Sequence, residues 1–139
     1  MVADIMQDPF VIYLPLPPSS NNAFATVGRR RIRSRAYLEW VKNADAILFY
    51  DAQYSLKCQN PIKGKFSLRI EVPLNMRGDI SNRIKILEDY FVSREVTADD
   101  RFCQEILIRR EKNMVEGCKV IIYPIAWLGQ ISAEIVSRD

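Results

Sequence analysis

Residues 65–92 read KFSLRIEVPLNMRGDISNRIKILEDYFV, and this stretch decides the fold. Its first part alternates apolar and polar side chains, which is the period-two pattern of a half-buried β-strand over 65–74. A loop over 75–78 follows, and from Asp79 the apolar spacing changes to that of a helix ending near Val92. A strand that leads through a short loop into an amphipathic helix predicts a mixed α/β domain.

The predicted helix over 79–92 has two contrasting faces. At about 100° per residue, one sector collects the apolar residues expected to face the core: Ile80, Ile84, Leu87 and Phe91. The opposite sector carries Asn82, Lys85 and Asp89. Asp79 stands at the N-terminal end, where a carboxylate caps exposed N–H groups and suits the helix dipole. The polar row is either a solvated face with an Asp–Lys pair or one wall of a functional site, and the pattern leaves both open.

On the N-terminal side, the sequence predicts a strand over 10–16, which prolines end because proline cannot donate to a β-ladder. A polar loop over 19–27 and a short extended stretch at 31–33 follow. Ser34 is the predicted N-cap of a helix over 35–53. The face of this helix that is expected to be buried consists of Tyr37, Val41, Ala44 and Leu48, widened by Trp40 and Ile47.

On the C-terminal side, residues 102–110 and 118–125 are predicted strands that form an antiparallel hairpin around a turn at 113–117. The predicted order is therefore β-α-β-α-β-β, in a single mixed α/β domain over 1–139 whose core spans about 10–125. The tail over 126–139 is expected to form a short helix that docks through its apolar residues, Trp127, Leu128, Ile131 and Ile135.

The composition of the 139-residue chain excludes several kinds of enzyme. The chain has no histidine, which rules out Ser-His-Asp and Cys-His triads and histidine-based zinc sites. The spacing of Cys58, Cys103 and Cys118 matches no zinc signature, and the last two are predicted to be small buried hydrophobes. Catalysis would have to rest on carboxylates, lysines, tyrosines, cysteines or a hard metal held by oxygen ligands.

Charge is distributed unevenly along the chain. Residues 1–8 carry two acids and no base, unlike a secretory signal, and no apolar run could span a bilayer, so we expect a cytoplasmic protein. A basic run contains Arg29, Arg30, Arg31, Arg33 and Arg35. Such a run is either a solvated loop or an anion-binding patch, for which a phosphate backbone is the commonest partner.

Acidic residues lie at two predicted strand ends. Asp79 follows the strand over 65–74, and Asp99-Asp100 precedes the strand over 102–110. If the two corners meet, they could hold Mg²⁺, which takes one or two carboxylates together with waters and substrate phosphates. A bound Mg²⁺ suits phosphodiester hydrolysis, because it polarises phosphoryl oxygens and lowers the pKa of an attacking water. Lys85 would then stabilise the transition state, with Asn82 and Asp89 supporting the ligands, or it would merely pair with an aspartate.

The polar block is similar to the signature of a known family. Asp79-Ile80-Ser81-Asn82-Arg83-Ile84-Lys85, followed by Asp89 and by Asp99-Asp100, resembles the pattern D-x-D-N-x-x-K-x-x-x-D with a later D-D in the RusA Holliday-junction resolvases. Pro17-Pro18-Ser19-Ser20-Asn21-Asn22 is similar to the P-P-S-x-N element of the same family. The resemblance covers about residues 12–125.

The resemblance implies a homodimeric, mixed α/β endonuclease of bacterial or prophage origin. Such an enzyme uses Mg²⁺ or Mn²⁺ to cut opposed strands of four-way DNA junctions in recombination and repair. Asp79 and Asp100 match the catalytic, metal-binding aspartates, Asp99 is a further candidate ligand, and Lys85 matches the conserved lysine. The arginines of the basic run, together with Asn21 and Asn22, would contact the DNA.

Ser81 departs from the family pattern, because it stands where the signature has its second aspartate and would bring no charge to a metal. The alternative is therefore a RusA-like protein that binds junctions with weak or no cleavage. A third hypothesis is a small α/β interaction domain whose acidic face is incidental. Symmetric cleavage would need an isologous dimer, for which the predicted C-terminal hairpin and the tail from Trp127 onward are candidate surfaces.

Overall fold

The computed structural model describes residues 8–51, 54 and 61–125. Within these residues the chain forms six strands, two α-helices and two short 3₁₀ turns. In chain order they are β1 (Phe10–Leu14), β2 (Phe24–Val27), β3 (Arg30–Arg33), α1 (Arg35–Leu48), β4 (Phe66–Pro73), a first 3₁₀ turn (Ile80–Arg83), α2 (Ile84–Ser93), a second 3₁₀ turn (Asp100–Phe102), β5 (Cys103–Glu111) and β6 (Cys118–Pro124).

The strand predicted from the opening stretch, β4, lies inside a mixed four-stranded sheet of order β1-β6-β4-β5. It pairs antiparallel with β6 on one side and parallel with β5 on the other. Its apolar side chains are buried, and Ser67 on the opposite face is also buried, at 7% exposure. The mixed α/β class is therefore confirmed.

The predicted C-terminal hairpin is wrong. β5 and β6 are consecutive and run in opposite directions, but β4 lies between them and pairs with both. A period-two pattern predicts a strand but does not indicate which strands pair with it. Burial agrees with the observed order, because β4 is mostly buried whereas β5 is largely exposed and suits an edge.

A second, two-stranded sheet was not predicted. β2 and β3 pair antiparallel around Gly28 and Arg29, so part of the expected loop over 19–27 is a strand and the order is β-β-β-α-β-α-β-β. Gly28 has a φ of 64°, a conformation that suits glycine as the first residue of a two-residue hairpin turn. The extended stretch expected at 31–33 is confirmed as part of β3.

Ser34 is the N-cap of α1 as predicted, because its hydroxyl accepts a hydrogen bond from the Tyr37 N–H at 3.2 Å. The helix ends at Leu48 rather than at residue 53, and Phe49 and Tyr50 beyond it are exposed. Four predicted core residues are buried: Tyr37, Trp40, Ala44 and Leu48. Val41 packs partly against the core, and Ile47 is exposed.

The predicted helix over 79–92 is a 3₁₀ turn followed by α2. Leu87 and Phe91 are buried as expected, whereas Ile80 and Ile84 only pack partly against the core. Ile86 and Tyr90 are buried in their place. The reason is that a 3₁₀ turn has about 3.0 residues per turn, so it rotates the first residues away from the face that a continuous α-helix would give them.

A charged cluster joins the two helices. The Asp45 carboxylate of α1 accepts hydrogen bonds from the Arg94 guanidinium at 2.7 and 2.8 Å and from the Tyr90 hydroxyl at 2.8 Å. The Trp40 and Tyr90 rings meet edge to face, 5.0 Å apart. The Arg94 hydrogen bonds lower the pKa of Asp45, so the carboxylate stays ionised and fixes α1 against the end of α2.

Cys118 is buried as predicted, and burial raises the pKa of its thiol to about 12. Cys103 is only half-buried, and Cys58 and the tail over 126–139 lie outside the described residues. Within the described part of the chain, none of the helices has the length and apolar character needed to cross a membrane.

We expect Asp45→Asn to lower the free energy of unfolding by about 1–3 kcal/mol, because it leaves the partly buried Arg94 without its charged acceptor. Urea titration at pH 7 would measure the loss. Glu39→Gln on the same helix is the matched control, since Glu39 forms only an exposed ion pair with Arg35 and should change stability little.

The difference between the wild type and Asp45→Asn should also depend on pH. The pKa of Asp45 is lower in the folded than in the unfolded chain, so its contribution is complete above the unfolded pKa and is lost as the pH falls through the folded value. The two proteins should therefore approach the same stability in acid. A difference that stays constant from neutral pH to strong acid would contradict this assignment.

Candidate active site

Asp79 lies at the corner between β4 and the first 3₁₀ turn. It follows Gly78, whose φ of 86° turns the chain sharply, and its own backbone is extended. Asp79 occupies the N-cap position as predicted, but its side chain makes no capping hydrogen bond. The predicted capping role is therefore wrong, and the exposed carboxylate is not used by the helix that it precedes.

The loop before Asp79 is held by an arginine of β5. The Arg110 guanidinium donates to three main-chain carbonyls of this loop: those of Leu74 at 3.2 Å, Met76, and Gly78 at 2.9 Å. Parallel pairing of β5 with β4 brings Arg110 to this end of β4. The sequence contains no local signal for this contact, because it depends on which strand lies next to β4.

The loop at Pro17–Asn22 meets the same corner. The Asn82 carbonyl accepts hydrogen bonds from the Ser20 N–H at 2.8 Å and from the Ser20 hydroxyl at 3.0 Å. The Arg83 guanidinium donates to the Pro17 carbonyl and, at 3.4 Å, to that of Arg77. Two sequence elements that lie far apart in the chain are thus joined by hydrogen bonds to main-chain carbonyls.

An open groove of about 400 Å³ lies between the two elements that these contacts join. Its walls come from the N-terminal loop on one side and from the corner on the other, and they are formed by Ser19, Asn21, Asn22, Arg77, Gly78, Asp79, Asn82 and Arg83. The groove combines one carboxylate, two guanidinium groups and several amides. It can therefore bind a polar, anionic ligand beside a carboxylate.

The second acidic corner is tied to α2 by Lys85. Its ammonium lies 2.6 Å from an Asp100 carboxylate oxygen and 3.1 Å from one of Asp89. The hydrogen bond that Lys85 donates to Asp100 is the main cause that raises the pKa of Lys85, and the same bond lowers the pKa of Asp100. Three predicted site residues are thus brought together as one charged cluster.

Asp99 is engaged differently from Asp100. Its carboxylate accepts a hydrogen bond from the Arg101 N–H at 3.0 Å and caps the second 3₁₀ turn. The Arg101 guanidinium lies 3.7 Å from the other oxygen. Both carboxylates of the pair therefore have partners within the chain, Asp99 in Arg101 and Asp100 in Lys85.

Glu88 is an acid near this cluster that the sequence did not single out. It lines a small cavity of about 10 Å³ with Asp100, and burial raises the pKa of its carboxyl. Its position on the helix gave no signal, because Glu88 precedes Asp89 and lies outside the Asn82–Lys85–Asp89 row.

The two acidic corners line different openings: Asp79 lines the groove, whereas Asp100 lines the small cavity beside Glu88. Within the described residues, no group of three or more acidic or cysteine side chains is close enough to hold a metal. Ser81 is exposed on the first 3₁₀ turn. Two carboxylates would suffice for Mg²⁺, which takes one or two of them and keeps several waters, only if Asp79 and Asp100 approach the same ion.

The basic run begins in the turn after β2 and continues through β3 to the start of α1. All five arginines are exposed, and two of them stack on aromatic rings: the Arg31 guanidinium lies 4.0 Å from the Phe24 ring centre, and that of Arg33 lies 4.9 Å from that of Tyr37. The hairpin connects directly to the groove loop, because the Ser34 hydroxyl donates to the Asn22 carbonyl at 2.7 Å. The positive surface therefore continues from one wall of the groove.

A scan of protein-family models finds no match for this chain, and a search of curated proteins finds no similar sequence.

We expect Arg110→Met to loosen the corner that carries Asp79, because it removes the donors to three loop carbonyls. Hydrogen–deuterium exchange should then become faster at the amides of residues 75–79 and remain unchanged in α1. Lys112→Met, an exposed change just beyond β5, is the control and should leave exchange in the loop as it is in the wild type. Unchanged exchange in Arg110→Met would show that the loop is held by other contacts.

Proposed function

We propose that this protein is a Mg²⁺-dependent, structure-selective endodeoxyribonuclease of the RusA type that resolves four-way DNA junctions. The observation that carries the proposal is the contact between Ser20 and Asn82, which joins the P-P-S-x-N element to the block that begins at Asp79. A pattern made of separate short motifs would have little weight if its parts lay on opposite sides of the domain. Their junction at one polar groove supports a common function.

Asp79 and Asp100 would hold the metal in this proposal. When bound, Mg²⁺ supplies polarisation of the phosphoryl oxygens and a more acidic attacking water. Lys85 remains a cation over the whole physiological pH range, because Asp100 and Asp89 raise its pKa. A fixed positive charge beside Asp100 is suited to offset the negative charge that develops on a phosphodiester during cleavage.

The DNA backbone would lie along the basic hairpin and enter the groove. The exposed arginines at 29, 30, 31, 33 and 35 offer phosphate contacts, and Asn21 and Asn22 offer amide donors inside the groove. Stacking on Phe24 and Tyr37 limits the motion of two of the guanidinium groups, so less entropy is lost when they bind. Cleavage of two opposed strands would require two such sites in a two-fold dimer.

The wild-type protein should nick a synthetic four-way junction symmetrically in the presence of Mg²⁺ or Mn²⁺. Asp79→Asn and Asp100→Asn should each reduce the rate by about a hundredfold or more, beyond the loss typical of residues that only support a ligand. Denaturing gels of end-labelled junctions would measure the rates. Glu116→Gln, in the exposed turn before β6, is the control and should cut like the wild type.

The Asp79→Asn protein should still bind the junction in a gel-shift experiment. Its binding should weaken steeply with added salt, since every phosphate contact releases counterions. The absence of nicks with either metal would overturn the nuclease assignment, and binding that does not depend on salt would overturn the DNA role itself.

A second candidate function is junction binding with little or no cleavage. Two observations favour it: Ser81 contributes no carboxylate, and the described residues contain no group of three acids around a possible metal position. The groove and the basic hairpin would serve this function equally well.

Ser81→Asp separates the two functions. If the native protein is mainly a binder, the added carboxylate should produce symmetric nicks that the wild type does not make under the same conditions, and the junction affinity without metal should change little. If the native protein is already an efficient nuclease, the substitution should change the rate by less than about tenfold. The readouts are the nicking rate and the gel-shift affinity.

A further inference from the structure

β5 is an edge strand of the four-stranded sheet. It stands at the end of the sheet order, and among the described residues no strand pairs with its outer side. It has nine residues and runs CQEILIRRE, with Ile106 and Leu107 exposed at 39% and 49%. The opposite edge, β1, has five residues, most of them buried. A long, exposed and partly apolar edge strand is a template for pairing with another chain.

The sequence of β5 is complementary to itself in one antiparallel register. If two copies pair about Leu107, Glu105 of each copy lies opposite Arg109 of the other, and Ile106 lies opposite Ile108. Residues directly opposite each other in an antiparallel pair share a face and interact, and opposite charges stabilise the pair. This register therefore gives two Glu–Arg pairs around an apolar centre.

Neighbouring registers lose this match. If the strands slide by two residues in one direction, Glu105 faces Glu111 and Ile106 faces Arg110. If they slide the other way, Arg109 faces Cys103 and the charge pairs are lost. A slide by one residue would turn the facing side chains to opposite faces of the sheet. The register centred on Leu107 is the one that suits both faces.

The pairing also continues the pattern already present in the sheet. Ile106 and Ile108 lie beside Leu68 and Ile70 of β4, on the face that packs on the core. Arg109 lies beside Glu71 on the other face and is 3.8 Å from its carboxylate. A second copy would therefore extend an apolar row on one face and a row of alternating charges on the other.

We propose that β5 is a homodimer surface, on which a second copy of this chain pairs antiparallel about Leu107 and joins the two four-stranded sheets into one. This surface is a property of β5 alone and does not depend on nuclease activity. It would supply the two-fold axis that junction cleavage requires.

Charge reversal tests both the surface and the register. Glu105→Arg leaves only positive charges at the two paired positions, and Arg109→Glu leaves only negative ones, so each variant should weaken its own dimer by at least about tenfold. An equal mixture should recover the dimer, because each Arg of one variant then faces a Glu of the other. Sedimentation equilibrium would give the association constants, and the double variant Glu105→Arg/Arg109→Glu should also dimerise like the wild type.

Lys112→Glu and Glu116→Arg, in the turn after β5, are the controls for a change in net charge and should dimerise normally. Circular dichroism would verify that every variant is folded. If a charge reversal prevents folding, Leu107→Lys replaces it: it places two lysines together on the axis and should also give monomers.

A wild-type protein that is monomeric throughout the accessible concentration range would overturn the proposal. If neither charge reversal weakens the dimer, the interface must lie elsewhere, in residues 126–139 or on another face, and the proposal would be overturned too. Single variants that are monomers but do not recover a dimer on mixing would overturn the register. A dimer that forms by β5 but cuts no junction would leave this proposal intact and count against the proposed nuclease activity alone.

Discussion

The rest of the structure depends on β4 being paired on both edges and mostly buried. An interior strand with β6 antiparallel on one side and β5 parallel on the other has no freedom to slide, since each ladder fixes its register. The end of β4 is therefore a fixed point, and the loop that leaves it is fastened by Arg110 from the neighbouring strand. This arrangement fixes the position of Asp79.

The electrostatics of the candidate site are organised around Lys85. One ammonium contacts the carboxylates of Asp89 and Asp100, which lie on different elements, so it holds the start of the second 3₁₀ turn against α2. Paired acids near one another would otherwise repel and disfavour the ionised state. The lysine offsets that repulsion, and the hydrogen bond that it donates lowers the pKa of Asp100, so this carboxylate stays ionised.

Much of the secondary structure and most of the core could be predicted from periodicity and capping. Tyr37, Ala44 and Leu48 of α1 and Leu87 and Phe91 of α2 are buried as the spacing indicates, because apolar residues at helical intervals have one face on which to pack. The hairpin of β2 and β3 was not predicted, because its strands are short and exposed and therefore show no clear alternation of apolar and polar residues. The order of the strands was predicted wrongly, because alternation predicts a strand but does not indicate which strand pairs with it.

The sequence by itself determined the chemistry that is possible: a chain without histidine, with carboxylates at two strand ends and arginines in one run. Only the tertiary structure decided which of these groups meet. Ser20 reaches Asn82, Lys85 reaches Asp100, and Arg110 reaches the loop before Asp79, all through contacts between residues far apart in the chain. The physical reason is that local sequence fixes backbone conformation and apolar periodicity. The contacts between distant residues depend instead on strand order and packing, which are set by interactions along the whole chain.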